Sequence, residues 1–107
     1  AGDWLTSPRG LQRPAGKQQA IDQHTTKLVL YQFRMCPFCV KVRRTIKRLS
    51  LNIETRDALR DEPAREQLLA GGGNIKVPCL KIINDQGDET WLYESTHIVH
   101  YLQERFA

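Results

Sequence analysis

The sequence predicts an α/β domain whose elements follow the order β-α-β-α-β-β-α and form a four-stranded mixed sheet flanked by helices. Its 107 residues, 40% of them hydrophobic, suffice for one compact domain. A nearly continuous apolar run at residues 28–33 has the pattern of a strand covered on both faces. An amphipathic helical stripe and then an alternating segment follow it, which is typical of a β-α-β unit.

Residues 1–26 differ in character from the rest of the chain. Prolines and glycines recur there among polar residues, with few apolar groups to bury. We therefore expect a flexible polar leader with at most a short helix from Lys17 to Gln23. The predicted domain comprises residues 27–107.

The first predicted helix of the domain runs from Pro37 to Ser50. Its apolar stripe recurs at steps of three, four and three residues, namely Cys39, Val42, Ile46 and Leu49. Basic residues take the opposite face, where we expect a solvated surface: Lys41, Arg43, Arg44, Lys47 and Arg48. Apolar and polar residues then alternate from Leu51 to Arg56, which predicts a half-covered strand parallel to the first.

Turn and cap signals divide residues 57–107. Asp61 can cap a helix with Pro63 in its first turn, and the glycines at 71–73 end that helix. The remaining residues predict a hairpin and a last helix: a strand at 77–83, a turn at 84–87, a strand at 89–93 and a helix from Ser95 with Ile98, Leu102 and Phe106 on one face.

Charge and composition narrow the function classes. The 16 Lys and Arg against 12 Asp and Glu give a net charge of +4, a modest excess for a nucleic-acid-binding protein, so we expect no nucleic-acid partner. A membrane-spanning helix requires a run of about 18 apolar residues, and the sequence contains no run of that length. The chain starts at Ala1 without a methionine, so we expect upstream residues, which could hold a membrane anchor.

The three cysteines are too few for a disulfide-stapled secreted scaffold. We therefore expect the protein in the cytoplasm, either free or tethered to a membrane through upstream residues. We also expect it to be a monomer.

The Cys36-Pro37-Phe38-Cys39 motif lies between the first strand and its helix. The N–H groups and dipole of a helix N-terminus stabilise a thiolate, so Cys36 is the predicted nucleophile. Cys39 lies one turn inward on the buried stripe and is the predicted resolving thiol. A C-x-x-C motif can also form half of a zinc site, and further ligands could come only from Cys79, His97 and His100. Agreement of strand, motif and helix favours redox chemistry, and we expect no metal.

The chain resembles the glutaredoxins over Leu28–Phe106. Three elements carry the resemblance: Tyr31 with the Cys motif, Lys76-Val77-Pro78, and Glu94-Ser95. The Glu-Ser pair is similar to that of glutathione-transferase N-terminal domains, and the region around the Cys motif to the glutaredoxin-like domain of membrane-associated prostaglandin E synthase. The resemblance implies a thioredoxin-like fold, a cis proline at Pro78 and glutathione as co-substrate.

The resemblance also implies a set of glutathione contacts. Val77 pairs with glutathione through its backbone, and Pro78 belongs to the same binding loop and faces the nucleophile. Phe38 offers apolar contact, and Glu94 and Ser95 hold the γ-glutamyl end. Ser95 could also be only the N-cap of the last helix. Many glutaredoxins have a lysine where this chain has Phe33, so Arg34 and Lys76 are the candidate cations for the glycine carboxylate.

These residues predict a glutathione-linked thiol-disulfide oxidoreductase that reduces glutathionylated or disulfide-containing proteins through Cys36. The alternatives are an iron-sulfur carrier or glutathione-binding adaptor, and a thioredoxin-type reductant independent of glutathione. Monothiol cluster-carrying glutaredoxins have a C-G-F-S motif, so Pro37 and Cys39 argue against iron-sulfur assembly. Cys79 is interpreted as a small strand residue rather than a third redox thiol.

Overall fold

The computed structural model describes residues 12–107. Within this range four helices and four strands follow one another along the chain: α1 Ala15–Thr25, β1 Leu28–Gln32, α2 Pro37–Arg48, β2 Glu54–Asp57, α3 Glu62–Gly72, β3 Cys79–Ile83, β4 Glu89–Tyr93 and α4 Ser95–Phe106. None of these helices is long and apolar enough to cross a membrane.

The strands form one sheet in the order β2-β1-β3-β4. β1 pairs with β2 in parallel and with β3 antiparallel, and β4 pairs antiparallel with β3. This confirms the predicted four-stranded mixed sheet, and with it the thioredoxin-like fold class.

Two hydrophobic clusters cover the two faces of the sheet. Leu28 and Leu30 of β1 belong to the larger cluster, which also contains buried apolar residues of α2 and α4 such as Val42 and Ile98. The alternate residue Tyr31 belongs to the smaller cluster on the α3 side, which contains Ala64 and Leu68. β1 is therefore covered on both faces, as its continuous apolar run predicts.

The helix α1 differs from the expected flexible leader. It spans Ala15–Thr25 rather than Lys17–Gln23, and it packs on the domain through Ile21 and the fully buried Thr25. This segment therefore contacts residues that follow the predicted boundary at residue 26. The sequence missed it because polar contacts hold α1: Gln18 Nε2 donates to the Ser50 carbonyl at 2.9 Å. Residues 1–11 of the predicted leader lie outside the described residues.

The strand β2 begins at Glu54, three residues later than the alternation at 51–56 predicts. The N–H of Leu51 donates to the Ile46 carbonyl at 3.0 Å, and Ser50 takes a positive φ of 53°. These features close the C-terminus of α2 in a Schellman-type arrangement, which keeps Leu51 out of the ladder. Leu51 is still buried, so the alternation records burial rather than strand pairing.

The start of α3 matches the prediction in position but not in mechanism. Asp61 is the N-cap residue, yet its side chain makes no capping hydrogen bond. At the other end Gly73 has a φ of 88°, a conformation that favours glycine. The predicted glycine stop is therefore confirmed at Gly73, whereas Gly71 and Gly72 still belong to the helix.

Candidate functional site

The motif cysteine Cys36 is the N-cap residue of α2, and Pro37 occupies the first helical turn. The Cys36 N–H donates to the Phe33 carbonyl at 3.3 Å, which folds the segment after β1 back onto the helix start. Pro37 lacks only an N–H that would have had no partner inside the helix. The Cys36 sulfur therefore lies close to the N–H groups of the first turn of α2, which have no partner within the helix.

The environment of Cys36 favours its thiolate. Partial burial opposes ionisation, but hydrogen bonds from the Cys39 N–H, the Cys39 thiol and the Phe38 N–H, together with the Arg43 charge, outweigh it. The pKa of Cys36 therefore lies below its ordinary value. Cys36 is also partly exposed, so an ionised sulfur is within reach of a substrate.

The second motif cysteine, Cys39, has the opposite environment. It is fully buried, and this burial raises its pKa to about 11 against the opposing hydrogen bond from the Phe33 N–H, whose nitrogen lies 3.4 Å from Cys39 Sγ. The neighbouring Cys36 also raises this pKa. Cys39 therefore stays protonated at neutral pH and can hydrogen-bond to the Cys36 thiolate.

Arg43 is a functional neighbour that the sequence analysis placed on the solvated face of α2. Its Nη2 donates to the Arg34 carbonyl at 2.8 Å, and its Nη1 donates to Oε1 of Gln32 at the end of β1. Its charge lowers the pKa of both Cys36 and Cys39. A seven-residue separation from Cys36 equals two helical turns, and this spacing is the signal that could have identified Arg43.

A groove of about 780 Å³, here called the Ser95 groove, lies beside the first turn of α2. It gathers six of the predicted glutathione contacts: Phe38, Lys76, Val77, Pro78, Glu94 and Ser95. Four further residues line it that the sequence analysis did not select: Asn74, Tyr93, Thr96 and His97. Residues from three separate stretches of the chain therefore meet at one surface.

The loop before β3 forms one wall of the Ser95 groove. The Val77-Pro78 peptide bond is cis, as the resemblance implies. Val77 precedes the first paired residue, Cys79, so its backbone groups lie outside the ladder. The Tyr93 hydroxyl donates to the Asn74 carbonyl at 2.8 Å and so ties this loop to β4.

The start of α4 forms the opposite wall. Glu94 is its N-cap residue, with a positive φ of 73°, and the helix has no side-chain cap hydrogen bond. Ser95 is buried in the first helical turn, so the interpretation of Ser95 as the N-cap is wrong. The Glu94 side chain is exposed, with Oε2 3.7 Å from Nδ1 of His97.

The structure does not place Arg34 in the Ser95 groove. Arg34 lines a second cavity of about 340 Å³, here called the Leu59 pocket, whose lining residues are Phe33, Arg34, Met35, Cys36, Asp57, Leu59 and Arg60. Of the two candidate cations for a glycine carboxylate, Lys76 alone lines the groove. Asp57 is the last residue of β2, Leu59 and Arg60 lie in the loop after it, and no local sequence pattern brings these residues next to Cys36.

The third cysteine, Cys79, is fully buried in the smaller cluster under α3. Burial raises its pKa to about 12, against a hydrogen bond with Tyr93. These features match a small strand residue. Among the described residues, no three His, Cys, Asp or Glu side chains come together as a metal-ligand group.

Residues 30–107 match the family model of the glutathione S-transferase N-terminal domain. The chain belongs to this family. No curated protein matches the chain.

Several solved structures resemble this domain. Maleylacetoacetate isomerase from Anaeromyxobacter dehalogenans is 30% identical over 75% of this chain and 36% of its own, with a TM-score of 0.56. The present chain therefore spans about a third of that isomerase, which has also been solved with dicarboxyethyl glutathione and citrate in its active site. A thioredoxin-like protein is 26% identical over 73% of this chain and 97% of its own, with a TM-score of 0.57.

A more distant structural neighbour shows the fold alone. Oxidized glutaredoxin 2 from Chlamydomonas reinhardtii is 18% identical over 83% of this chain and 80% of its own, with a TM-score of 0.54. The family match makes this chain a glutathione S-transferase N-terminal domain, and the neighbours agree with its thioredoxin-like fold.

Proposed function

We propose that this glutathione S-transferase N-terminal domain is a glutaredoxin, a glutathione-dependent thiol-disulfide oxidoreductase that reduces glutathionylated or disulfide-containing proteins through Cys36. The observation that carries the proposal is the partly exposed Cys36, with its lowered pKa, at the start of α2 beside the Ser95 groove. A thiolate is the species that attacks a disulfide, and it is also the better leaving group in the return step.

The proposed reaction has two exchange steps. The Cys36 thiolate attacks the glutathionyl sulfur of a mixed disulfide, the old S–S bond breaks, and the substrate leaves as a thiolate that takes a proton from water. A second glutathione thiolate then attacks the glutathionyl sulfur on Cys36. This step releases glutathione disulfide and regenerates the Cys36 thiolate.

Cys39 has a separate role when the substrate is a disulfide. After Cys36 forms a mixed disulfide with the substrate, the Cys39 thiol must lose its proton and attack the Cys36 sulfur. This releases the second substrate thiolate and leaves a Cys36–Cys39 disulfide. Reduction of glutathionylated substrates does not need this step.

The Ser95 groove is the proposed binding site of glutathione. The γ-glutamyl carboxylate would lie at the N-terminus of α4 against the Ser95 hydroxyl and the first N–H groups, with Glu94 beside the ammonium group. The free backbone of Val77 would pair with the central part of glutathione, and Phe38 would contact its apolar atoms. We assign the glycine carboxylate to Lys76 rather than Arg34, because Lys76 lines this groove.

We also propose a cytoplasmic monomer that acts on proteins. A reducing compartment keeps a C-x-x-C motif in the thiol form that the first step requires.

A glutathione titration followed residue by residue, combined with turnover on a small glutathionylated disulfide, tests this function. We expect glutathione to perturb the signals of Val77, Ser95 and Lys76. Lys76→Gln should raise the KM for the glutathionylated substrate about three- to tenfold, the size of one partly exposed charge-assisted hydrogen bond. Arg34→Gln should have a smaller effect, and Lys47→Gln on the far part of α2 serves as the matched charge control. Normal turnover without perturbation of the groove would contradict this binding site.

A thioredoxin-type reductant independent of glutathione is the second candidate. It is favoured by the thioredoxin-like protein that matches over 97% of its own length, since that protein is about the size of the present domain. This candidate predicts reduction by thioredoxin reductase and no response of Ser95 to glutathione. The same titration therefore separates the two functions.

A further inference from the structure

The Leu59 pocket opens directly beside Cys36 and shares no lining residue with the Ser95 groove. We propose that it binds the protein segment that becomes disulfide-bonded to Cys36, and that it selects a cysteine flanked by an apolar residue and an acidic residue. The inference rests on the thiol-disulfide exchange proposed for Cys36 but not on glutathione.

Much of the surface that lines the Leu59 pocket is apolar, whereas the exposed surface of a soluble protein usually carries polar side chains at such positions. Met35 is 86% exposed and Leu59 is 56% exposed, and both lie in the same pocket as the nucleophile. Large apolar side chains that cluster on a surface mark an interaction site. Methionine is suited to partners of varied shape because its side chain is unbranched and flexible.

The backbone that presents Leu59 is fixed in place. Asp57 Oδ1 accepts hydrogen bonds from the N–H groups of Leu59, at 2.9 Å, and Arg60, at 3.1 Å. Arg65 Nη1 donates to the Leu59 carbonyl at 3.0 Å, and the Ala58 N–H donates to the Gln32 carbonyl at 2.9 Å. A preorganised loop loses little conformational entropy when a partner binds, which suits a recognition surface.

The charges of the pocket favour an acidic partner. Two cationic side chains, Arg34 and Arg60, line it against the single carboxylate of Asp57, and one oxygen of that carboxylate already accepts two backbone hydrogen bonds. An acidic residue near the substrate cysteine would therefore gain attraction from two guanidinium groups. A basic residue at the same place would be repelled.

The probe for this pocket is a peptide whose single cysteine is activated as a 2-pyridyl disulfide. The Cys36 thiolate attacks the peptide sulfur, the S–S bond to pyridine breaks, and pyridinethiolate leaves and becomes thiopyridone. In the Cys39→Ser variant the Cys36–peptide disulfide persists, so the absorbance of thiopyridone reports one exchange without glutathione.

Four peptides of equal length carry Leu or Ser next to the cysteine and Glu or Lys beyond it. Each rate is divided by the rate of the same peptide with free mercaptoethanol, which removes differences in intrinsic reactivity. We expect the Leu/Glu peptide to react about tenfold faster than the Ser/Lys peptide, from one partly buried side chain and one exposed ion pair. A spread of less than twofold would overturn the proposal.

Variants of the pocket localise the preference. Leu59→Ser should remove the Leu-over-Ser preference and Arg60→Gln should halve or abolish the Glu-over-Lys preference. The matched control is Leu69→Ser on α3, an exposed leucine outside the pocket, which should keep both preferences. An equal loss in the Leu69→Ser variant would overturn the assignment to this pocket. Reaction with 2,2′-dipyridyl disulfide tests Cys36 alone, and its failure would contradict the proposed function itself.

Discussion

The first turn of α2 holds the same residue type in two environments, one at its start and one at its end. Cys36 lies at the tip, partly exposed, where N–H groups and Arg43 lower its pKa. Cys39 lies three residues later in the core, where burial raises its pKa to about 11. The motif has a cysteine at each end, but the two differ in burial. This difference, which arises within one helical turn, makes one cysteine a nucleophile and the other its protonated partner.

The largest effect expected from this difference is on turnover. Cys36→Ser should reduce activity on a glutathionylated substrate at least a thousandfold, because no other thiol of the described residues is both exposed and activated. Cys39→Ser should keep this activity and lose the reduction of protein disulfides. Glutathione-coupled turnover of both variants measures the contrast, and full activity in Cys36→Ser would end the proposed mechanism.

The two thiols should also differ in alkylation. With a pKa of about 11, Cys39 is ionised in about one molecule in ten thousand at pH 7, and it is buried as well. We expect iodoacetamide to label Cys36 more than a hundredfold faster, with a rate that levels off at a pH below the ordinary thiol pKa. Peptide mass spectrometry across pH 5–10 measures both rates. Equal labelling of Cys39 would break the comparison.

Buried thiols should make the reduced protein less stable at alkaline pH. The pKa values of Cys39 and Cys79 are raised in the folded state, so their stabilisation is full below the unfolded pKa of about 9 and is lost as pH rises towards the folded values. Each thiol should cost about 1 kcal/mol between pH 9 and pH 10.

Urea unfolding at the two pH values measures this loss. Cys79→Ala should lose about 1 kcal/mol less over that interval than the parent protein. Cys36→Ser is the contrasting variant: the pKa of Cys36 is lowered in the folded state, so its stabilisation is present above the unfolded pKa and is lost only as pH falls, and this variant should keep the alkaline loss. An unchanged pH dependence in Cys79→Ala would show that this thiol ionises in the folded state.

The smallest of the four effects concerns Arg43. Arg43→Gln removes a positive charge and two hydrogen bonds near the motif, so the pKa of Cys36 should rise and the alkylation rate at pH 6 should fall about three- to tenfold. Arg44→Gln, on the exposed face of the same helix, is the matched control. Loss of rate at all pH values without a shift of the profile would indicate a purely structural role.

The features of the fold that the sequence predicted correctly are those that depend on neighbouring residues in the chain. The stripe from Cys39 to Leu49 and the buried face of α4 follow helical periodicity, and Gly73 after α3 follows backbone sterics, so these elements needed no knowledge of the fold. The position of Cys36 was equally local. The residues of the Ser95 groove came from resemblance, since no periodicity joins Val77 to Ser95.

The features that the sequence missed depend on contacts between distant residues. Arg43 was placed on a solvated face because helical periodicity says nothing about the segment at the end of β1 that it reaches. Leu59 and Arg60 look like ordinary loop residues until the parallel pairing of β1 with β2 brings their loop next to Cys36.

A side chain just before α1 ties this segment to two other helices. Arg13 Nη1 donates to the Leu49 carbonyl at 2.7 Å, and its Nη2 donates to the Phe106 carbonyl, 93 residues away in the sequence. The Leu49 carbonyl lies at the C-terminal end of α2 and the Phe106 carbonyl at the C-terminal end of α4. The Arg13 guanidinium can therefore bind both carbonyls together only after these two helices have packed side by side. The contact between Arg13 and Phe106 closes a long loop, which is entropically costly, so we expect it to form after the local contacts have formed. Docking of α1 is therefore expected late in folding, and its amide protons should exchange with solvent earlier than those of β1.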